Sequence, residues 1–259
     1  MVQQITSRDN EKIKYACKLG TSAAFRQSEQ SFLTEGLKLC LELAKDCPVR
    51  QVFYTAKALE KCPEIPALGG QQYEITPPVA QKLAGVESSQ GLFCVFGWPR
   101  QPQGLPVAGG RYLALEGVQD PGNVGALLRS AAAFGFDRVL LGPGCASPFG
   151  PKTLRASMGA AGRIPLQFVE DLPGTLAGMR ARGIDCYAAA LYNSRPLDEV
   201  DGSHAGGVCL VIGSEGQGLS QEVIRSCAAA VRIPISDRVE SLNAGVAGGV
   251  LLWHFRGKL

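Results

Sequence analysis

Val208-Cys209-Leu210-Val211-Ile212-Gly213-Ser214-Glu215-Gly216-Gln217-Gly218-Leu219-Ser220 carries the pattern that decides the fold class. Five apolar residues in a row are too few for a helix and suit a buried strand; the glycines after them suit a tight turn, and Ser220 suits a helix N-cap. Strand-like runs recur around it at Tyr112–Leu115, Arg138–Leu141, Pro165–Val169, Asp185–Ala189 and Val231–Ile233, alternating with helix-length segments. This alternation predicts an α/β fold, a mostly parallel sheet with helices on both faces. Ligands are expected beyond the carboxyl ends of the strands.

Towards the amino terminus, the Pro- and Gly-rich stretch Trp98–Gly110 has no clear periodicity and separates two patterned halves. The sequence thus predicts a first domain over 1–97, a linker over 98–110 and a second domain over 111–259. The first domain reads as a smaller α/β module. A basic helix over 10–19 precedes strands at 32–34, 51–55, 73–76 and 92–96, with helices near 36–45, 56–61 and 78–84.

At 259 residues, with 46% hydrophobic and 19% charged, the chain can bury a core without staples, and collagen-like or disordered classes are excluded. Its longest apolar runs fall far short of the roughly 20 residues that span a bilayer. The opening Met1-Val2-Gln3-Gln4 lacks a secretory pattern, so a cytoplasmic protein without membrane association is expected. Nine cysteines, none in a CxxC pair, predict neither a zinc knuckle nor any other metal site. The formal charge of +3 leaves nucleic-acid binding open, although arginine outnumbers lysine after residue 110 and lysine dominates before it.

Three stretches carry polar groups that chemistry could use. In Asp120-Pro121-Gly122-Asn123-Val124-Gly125-Ala126-Leu127-Leu128-Arg129, Asp120 suits an N-cap and Pro121 the first helical position. Gly125 lies one turn before Arg129 on the same face, leaving room beneath the guanidinium. The turn Gly213–Leu219 has the spacing GxxGxG, which is neither a dinucleotide fingerprint nor a phosphate loop, and Glu215 within it would repel phosphate yet accept from a ribose, an amine or an arginine. In the third stretch Ser241 reads as the N-cap of a helix whose face of Ser241, Gly245, Gly248 and Leu252 is small, so something packs closely there. Taken singly, each stretch also admits a structural reading: capping, a plain turn, tight helix packing.

Together and in this order they resemble the signature motifs of the SpoU (TrmH-like) ribose 2′-O-methyltransferases of the SPOUT class. D-P-x-N-x-G-x-x-x-R is complete at 120–129, G-S-E-G-x-G-L at 213–219, and I-P-I and S-L-N follow at 233–235 and 241–243. Ile5-Thr6-Ser7, Asn10, Ile13-Lys14 and Phe32–Gly36 are similar to the L30e-like substrate-binding domain that often precedes this fold. The resemblance implies a trefoil-knotted carboxy-terminal domain and methyl transfer from S-adenosylmethionine to a ribose 2′-hydroxyl of structured RNA, ribosomal RNA before transfer RNA. It implies Arg129, Asn123, Glu215, Ser241 and Asn243 as catalytic groups, with Asn123 and Glu215 orienting Arg129 and the ribose. Gly213, Ile233 and Leu242 would contact the cofactor. RNA would meet Lys12, Lys14, Lys18 and Arg26 in the first domain and Lys152 and Arg155 near the site, and the helix 241–257 is a candidate homodimer element. One departure stands out: the family usually has serine where this chain has Gly245.

Two other classes are weighed against this reading. A catalytically silent RNA-binding or ribosome-assembly protein would need degraded motifs, and a nucleotide-dependent oxidoreductase would need a GxGxxG after the first strand. His204 and His254 match no motif and are expected at a surface and a helix position respectively.

Overall fold

In the computed structural model, which describes residues 2–84 and 89–257, local capping decides where the first helices begin. The first unit runs β1 (Gln3–Ile5), α1 (Glu11–Thr21), α2 (Ala23–Glu29), β2 (Ser31–Glu35), α3 (Leu37–Leu43), β3 (Val49–Tyr54), α4 (Ala56–Lys61), β4 (Gln71–Ile75), α5 (Pro77–Ala84) and β5 (Leu92–Gly97). The Asn10 side chain accepts from the Lys12 N–H at 2.9 Å, and Ser22 Oγ accepts from the Phe25 N–H at 3.2 Å. Ile13, Ala16 and Leu19 fall on one face of α1 and are buried. That face covers a five-stranded sheet of order β1-β4-β3-β5-β2, in which β5 is antiparallel to both its neighbours. Phe53, Phe93 and Val95 complete this core. The pattern reading passes over strand β1, which is only three residues long, and over helix α2.

The chain divides into Met1–Arg100 with Phe149–Arg155, and Gln101–Pro148 with Ala156–Leu259. The outermost limits expected for the two domains, Met1 and residues 258–259, lie outside the described residues. Residues 149–155, which the sequence reading puts in the second domain, pack with the first. Phe149 is fully buried, its ring 4.9 Å from that of Phe32 and 4.8 Å from that of Trp98. The stretch 101–110 has no helix or strand, as its Pro and Gly content predicts, yet it is fastened to the second unit. Tyr112 Oη donates to the Val107 carbonyl at 2.8 Å, and Arg138 and Arg182 donate to the carbonyls of Gly104 and Leu105 at 3.1 Å each.

The second unit runs β6 (Arg111–Leu115), α6 (Pro121–Ala133), β7 (Arg138–Leu141), α7 (Pro151–Ser157), α8 (Ala160–Arg163), β8 (Leu166–Phe168), α9 (Leu172–Arg180), β9 (Asp185–Ala189), β10 (Arg195–Pro196), β11 (Val208–Ile212), α10 (Gln221–Ser226), β12 (Ala229–Arg232) and α11 (Ala244–His254), with only part of α7 belonging to it. Its seven strands, in the order β10-β12-β9-β11-β6-β7-β8, are all parallel. The loops that follow Leu115, Ile212 and Arg232 therefore leave the sheet along one edge. Leu140, Leu176, Met179, Cys209 and Val211 lie in the core of this unit. All nine cysteines are free, and burial pushes the Cys47 and Cys227 thiols up to about 12.

His204 corrects the sequence reading. Its side chain is only 9% exposed, because the ring packs against Tyr187 and Phe255 while Nδ1 meets Asp185 Oδ2 at 2.9 Å. His254 ends α11, as expected.

Helix α11 lies against α6 and β11 because Gly248 has no side chain: a Cβ there would overlap Leu127 Cδ2 and come within 2.8 Å of Ile212 Cδ1. Gly248→Val is expected to destabilise the protein by about 1–3 kcal/mol, seen as a lower urea midpoint. Gly249→Ala is the control. Its Cβ would meet only Ser130 Oγ at 3.8 Å, so the variant is expected to match or slightly exceed the parent.

Candidate active site

Each of the three motifs is positioned by its own local chemistry. Asp120 Oδ1 accepts from the Asn123 N–H at 2.8 Å, capping α6, and Pro121 occupies the first turn, where a missing N–H is tolerated. The glycine-rich turn closes on itself through paired backbone bonds between Ser214 and Gly218 at 3.1 and 3.0 Å. Gly213 is required there, since a Cβ would overlap the Gly218 backbone, and Gly218 sits at φ +68°. Helix α11 begins at Ala244. Its cap is Asn243, whose Oδ1 accepts from the Val246 N–H at 3.2 Å.

The cap at Asn243 corrects the expectation for Ser241. Asparagine and serine cap equally well, and the helix starts at the later of the two, leaving Ser241 exposed and without a side-chain hydrogen bond among the described residues.

Asn123 brings the motifs together. It is buried at 9% exposure; its Nδ2 donates to Glu215 Oε1, and its Oδ1 accepts from Asn243 Nδ2 at 2.9 Å. One amide thus joins residues 92 and 120 positions away in sequence. Gly245 lies beside it: a Cβ would come within 3.2 Å of Oδ1 on both Asn123 and Asn243. A serine in this place would need the two amides to shift by a few tenths of an ångström.

Arg129 stands apart from this chain. It is exposed and makes no hydrogen bond or ion pair among the described residues, so Asn123 and Glu215 orient each other and not the guanidinium. Arg129 comes six positions after Asn123 on the helix, which turns the two side chains about 120° apart. Gly125, expected to leave room beneath the guanidinium, is itself buried.

The sequence reading misses Glu116. Its Oε2 accepts from the Ser220 N–H at 2.8 Å, bracing the glycine-rich turn against the end of β6. The one sequence signal was its place at the last turn of a strand edge, which is weak. Beside it, burial raises the Cys145 thiol, with the Glu116 and Glu215 carboxylates adding to the effect, so Cys145 stays a neutral thiol at pH 7.

Gly213 directly follows β11 and is buried, Ile233 directly follows β12, and Ile233 and Leu242 are half-buried. Half-buried apolar side chains and a glycine-rich turn without a basic side chain suit a neutral adenosine better than a polyphosphate. No group of three or more His, Cys, Asp or Glu side chains gathers to hold a metal, and no helix is long and apolar enough to cross a membrane, among the described residues.

Of the residues expected to meet RNA, Lys14 and Lys18 are exposed and Lys12 is half-buried. Arg26 is a correction. It is 6% exposed and donates through Nη1 to the Leu19 carbonyl at 2.8 Å, so it braces α1 against α2. Lys152 and Arg155 are exposed, on the segment that packs with the first unit.

Removing the central amide leaves a carboxylate and a second amide unpaired. Asn123→Ala is expected to lower stability by about 1–3 kcal/mol. Asn123→Asp faces Glu215 with a second carboxyl, and the pair must share a proton, raising the folded-state pKa of one member. A raised carboxyl pKa weakens the folded state above the unfolded value. The variant's deficit in melting temperature should therefore be smallest near pH 4 and largest above neutrality. A pH-independent deficit would contradict this geometry.

Comparison with known proteins identifies the family. Residues 110–253 match the SpoU rRNA Methylase family, and residues 10–94 the MRM3-like substrate binding domain. The chain is 32% identical to the 23S rRNA (guanosine(2553)-2′-O)-methyltransferase RlmP of Bacillus subtilis, covering 99% of this chain and all of that protein. It is 31% identical to an uncharacterized tRNA/rRNA methyltransferase of Synechocystis, over 98% of this chain and 94% of the other. The AdoMet-bound rRNA methyltransferase of Sinorhizobium meliloti superposes with a TM-score of 0.87 at 29% identity, covering 98% and 97% of the two chains. With its three motifs joined at Asn123 on the carboxyl edge of a parallel sheet, the chain belongs to the SpoU rRNA methylase family.

Proposed function

We propose that this protein transfers a methyl group from S-adenosylmethionine to a ribose 2′-hydroxyl of large-subunit ribosomal RNA, acting in the cytoplasm. The observation that carries this reading is the Glu215–Asn123–Asn243 chain, which draws three separate motifs into one site while Arg129 is left uncommitted. The choice of large-subunit RNA rests on the full-length match to the Bacillus subtilis relative. The first unit is assigned to RNA binding, through Lys12, Lys14 and Lys18, and residues 111–257 to methyl transfer.

Bound S-adenosylmethionine supplies an already activated methyl on a sulfonium, so the protein's task is to hold a weak alcohol nucleophile in line and stabilise its growing negative charge. Ile233, Leu242 and the Gly213 turn would hold the cofactor's adenosine. The planar guanidinium of Arg129 serves as a donor and not as a base: it holds an RNA phosphate and stabilises the developing oxyanion. Glu215, holding one amide proton from Asn123, keeps lone pairs for a ribose hydroxyl. Asn243 spends both ends of its amide on Asn123 and Val246, which makes it a positioning residue.

Transfer of labelled methyl to purified 23S rRNA, 16S rRNA and transfer RNA tests the assignment. Label is expected on 23S rRNA, in an alkali-resistant linkage. Arg129→Ala is expected to lower the rate about 10²–10³-fold while cofactor binding is unchanged. Label on transfer RNA alone would move the substrate, and cofactor binding without transfer to any RNA would support the silent RNA-binding reading.

A second copy of the chain is the partner proposed for α11. Val246, Val250 and Trp253 form an exposed stripe at 55%, 40% and 51%, on the side away from Gly245 and Gly248. Val250→Asp is expected to convert a dimer into a monomer in light scattering; a monomeric parent protein would remove this part of the reading.

A further inference from the structure

Among the described residues no large hydrophobic side chain is more exposed than Tyr192, at 83%, and it makes no hydrogen bond or ring contact there. Its place is fixed by the sheet. Strand β9 lies between β11 and β12, with Ala188 paired to Val211 and Ala189 to Val231. The ladder runs one residue further, through the Ala190 N–H and the Val231 carbonyl at 3.1 Å, which sets Ala190 level with Gly213 on one side and Arg232 on the other. The chain then crosses from β9 past β12 to β10, whose Arg195 and Pro196 pair with Val231 and Arg232. Tyr192 is thus carried on the carboxyl edge, beside the strand ends that lead to the Gly213 turn and to Ile233.

This crossing is braced around the tyrosine. Ser194 Oγ donates to the Leu191 carbonyl at 3.2 Å, Arg232 Nη1 donates to the Ser194 carbonyl, and Asn193 takes the left-handed conformation at φ +51°, which asparagine tolerates. Aromatic rings are large contributors to cores and interfaces, yet this one, on a braced turn, is left almost uncovered by its own chain. An enclosed small-molecule site would cover the ring, whereas an open flat ring suits a base that stays part of a strand. Arg195, the nearest basic residue in the sequence, is exposed and makes no ion pair among the described residues. Of the acidic groups, Glu215 on the neighbouring turn is engaged by Asn123, and Asp198 and Glu199 follow only after β10.

We propose that Tyr192 stacks on a base of the RNA beside the nucleotide that is methylated, with Arg195 against the RNA backbone, so that the strand is held across the carboxyl edge of the sheet. A nucleotide satisfies both groups at once, its base the open ring and its phosphate the unpaired guanidinium. The stack rests on the RNA-methylation reading for the identity of the strand, and it adds an RNA contact made by the catalytic unit.

The full-length protein, with S-adenosylhomocysteine present, is titrated by filter binding over a range of salt concentrations. The RNA is the one that the labelled-methyl assay identifies, or 23S rRNA where none is methylated. The parent is compared with Tyr192→Leu, Tyr192→Phe and Arg195→Gln, each checked for an unchanged melting temperature. Tyr192→Leu keeps apolar bulk and removes the flat ring. It is expected to weaken RNA binding and to raise KM for RNA about tenfold, leaving S-adenosylhomocysteine binding and the slope of log affinity against log salt as in the parent. Tyr192→Phe, which keeps the ring, is expected to restore both. Arg195→Gln is expected instead to flatten the salt slope by about 0.7. A folded Tyr192→Leu protein that binds and methylates RNA as the parent does overturns the stack. So does one whose loss falls on S-adenosylhomocysteine, which would put the ring on the cofactor, and so does a Tyr192→Phe protein as weak as Tyr192→Leu. Weakened RNA binding by Tyr192→Leu in a protein that methylates no RNA would uphold the stack and overturn the reaction.

Discussion

Two hydrogen bonds on the side-chain amide of Asn123 hold the catalytic unit's three motifs in one place. A planar amide is the right group for this position because it presents a donor and an acceptor in fixed, divergent directions. A carboxylate could accept from Asn243 but would repel Glu215; an aliphatic side chain could do neither. Burial sharpens the requirement, since Asn123 is only 9% exposed and water cannot substitute freely for a lost partner. The amide is in turn held by the cap at Asp120, which fixes the backbone N–H of the same residue. A side chain and its own main chain are thus constrained from opposite sides.

The small residues around this point follow from the same constraint. Gly245 leaves space beside the Asn123 and Asn243 oxygens, and one turn later Gly248 admits Leu127 of α6 and Ile212 of β11. Without that close approach, α11 would ride away from α6, and Asn243 at its mouth would be carried out of reach of Asn123. Gly213 performs the corresponding service for the other partner. It lets the turn fold back on itself, so that Glu215 is presented at the end of β11, while Glu116 fastens the far side of the turn at Ser220. Packing and hydrogen bonding here specify one geometry together.

This division explains what could be read in advance. Apart from the two-residue β10, the strands from Tyr112 to Val231 are legible because buried parallel strands are short continuous apolar runs bounded by turns, and the helix after Asp120 because cap and proline mark its start. Arg26 is illegible as a buried residue, since its spacing on α2 differs in no way from that of a surface arginine; only the Leu19 carbonyl gives it away. The beginning of α11 is ambiguous because Ser241 and Asn243 are equally good caps. Glu116 and the Asn123 partners are long-range contacts, for which a single sequence has no local signal. The same holds for 149–155, where Phe149 joins Phe32 across more than a hundred residues of chain.

The electrostatics of the site make sense of the one arginine left over. Burying a guanidinium in an ion pair consumes the donors that would recognise a phosphate, and an Arg129 paired with Glu215 would have to lose that partner before it could meet RNA. In this fold the carboxylate is already engaged by a neutral amide, which lends it a donor without cancelling the positive charge elsewhere. Arg129 therefore remains exposed with its planar fork unspent. The neutral amide that joins Glu215 to Asn243 thus leaves the charge of Arg129 uncancelled, which the proposed phosphate contact requires.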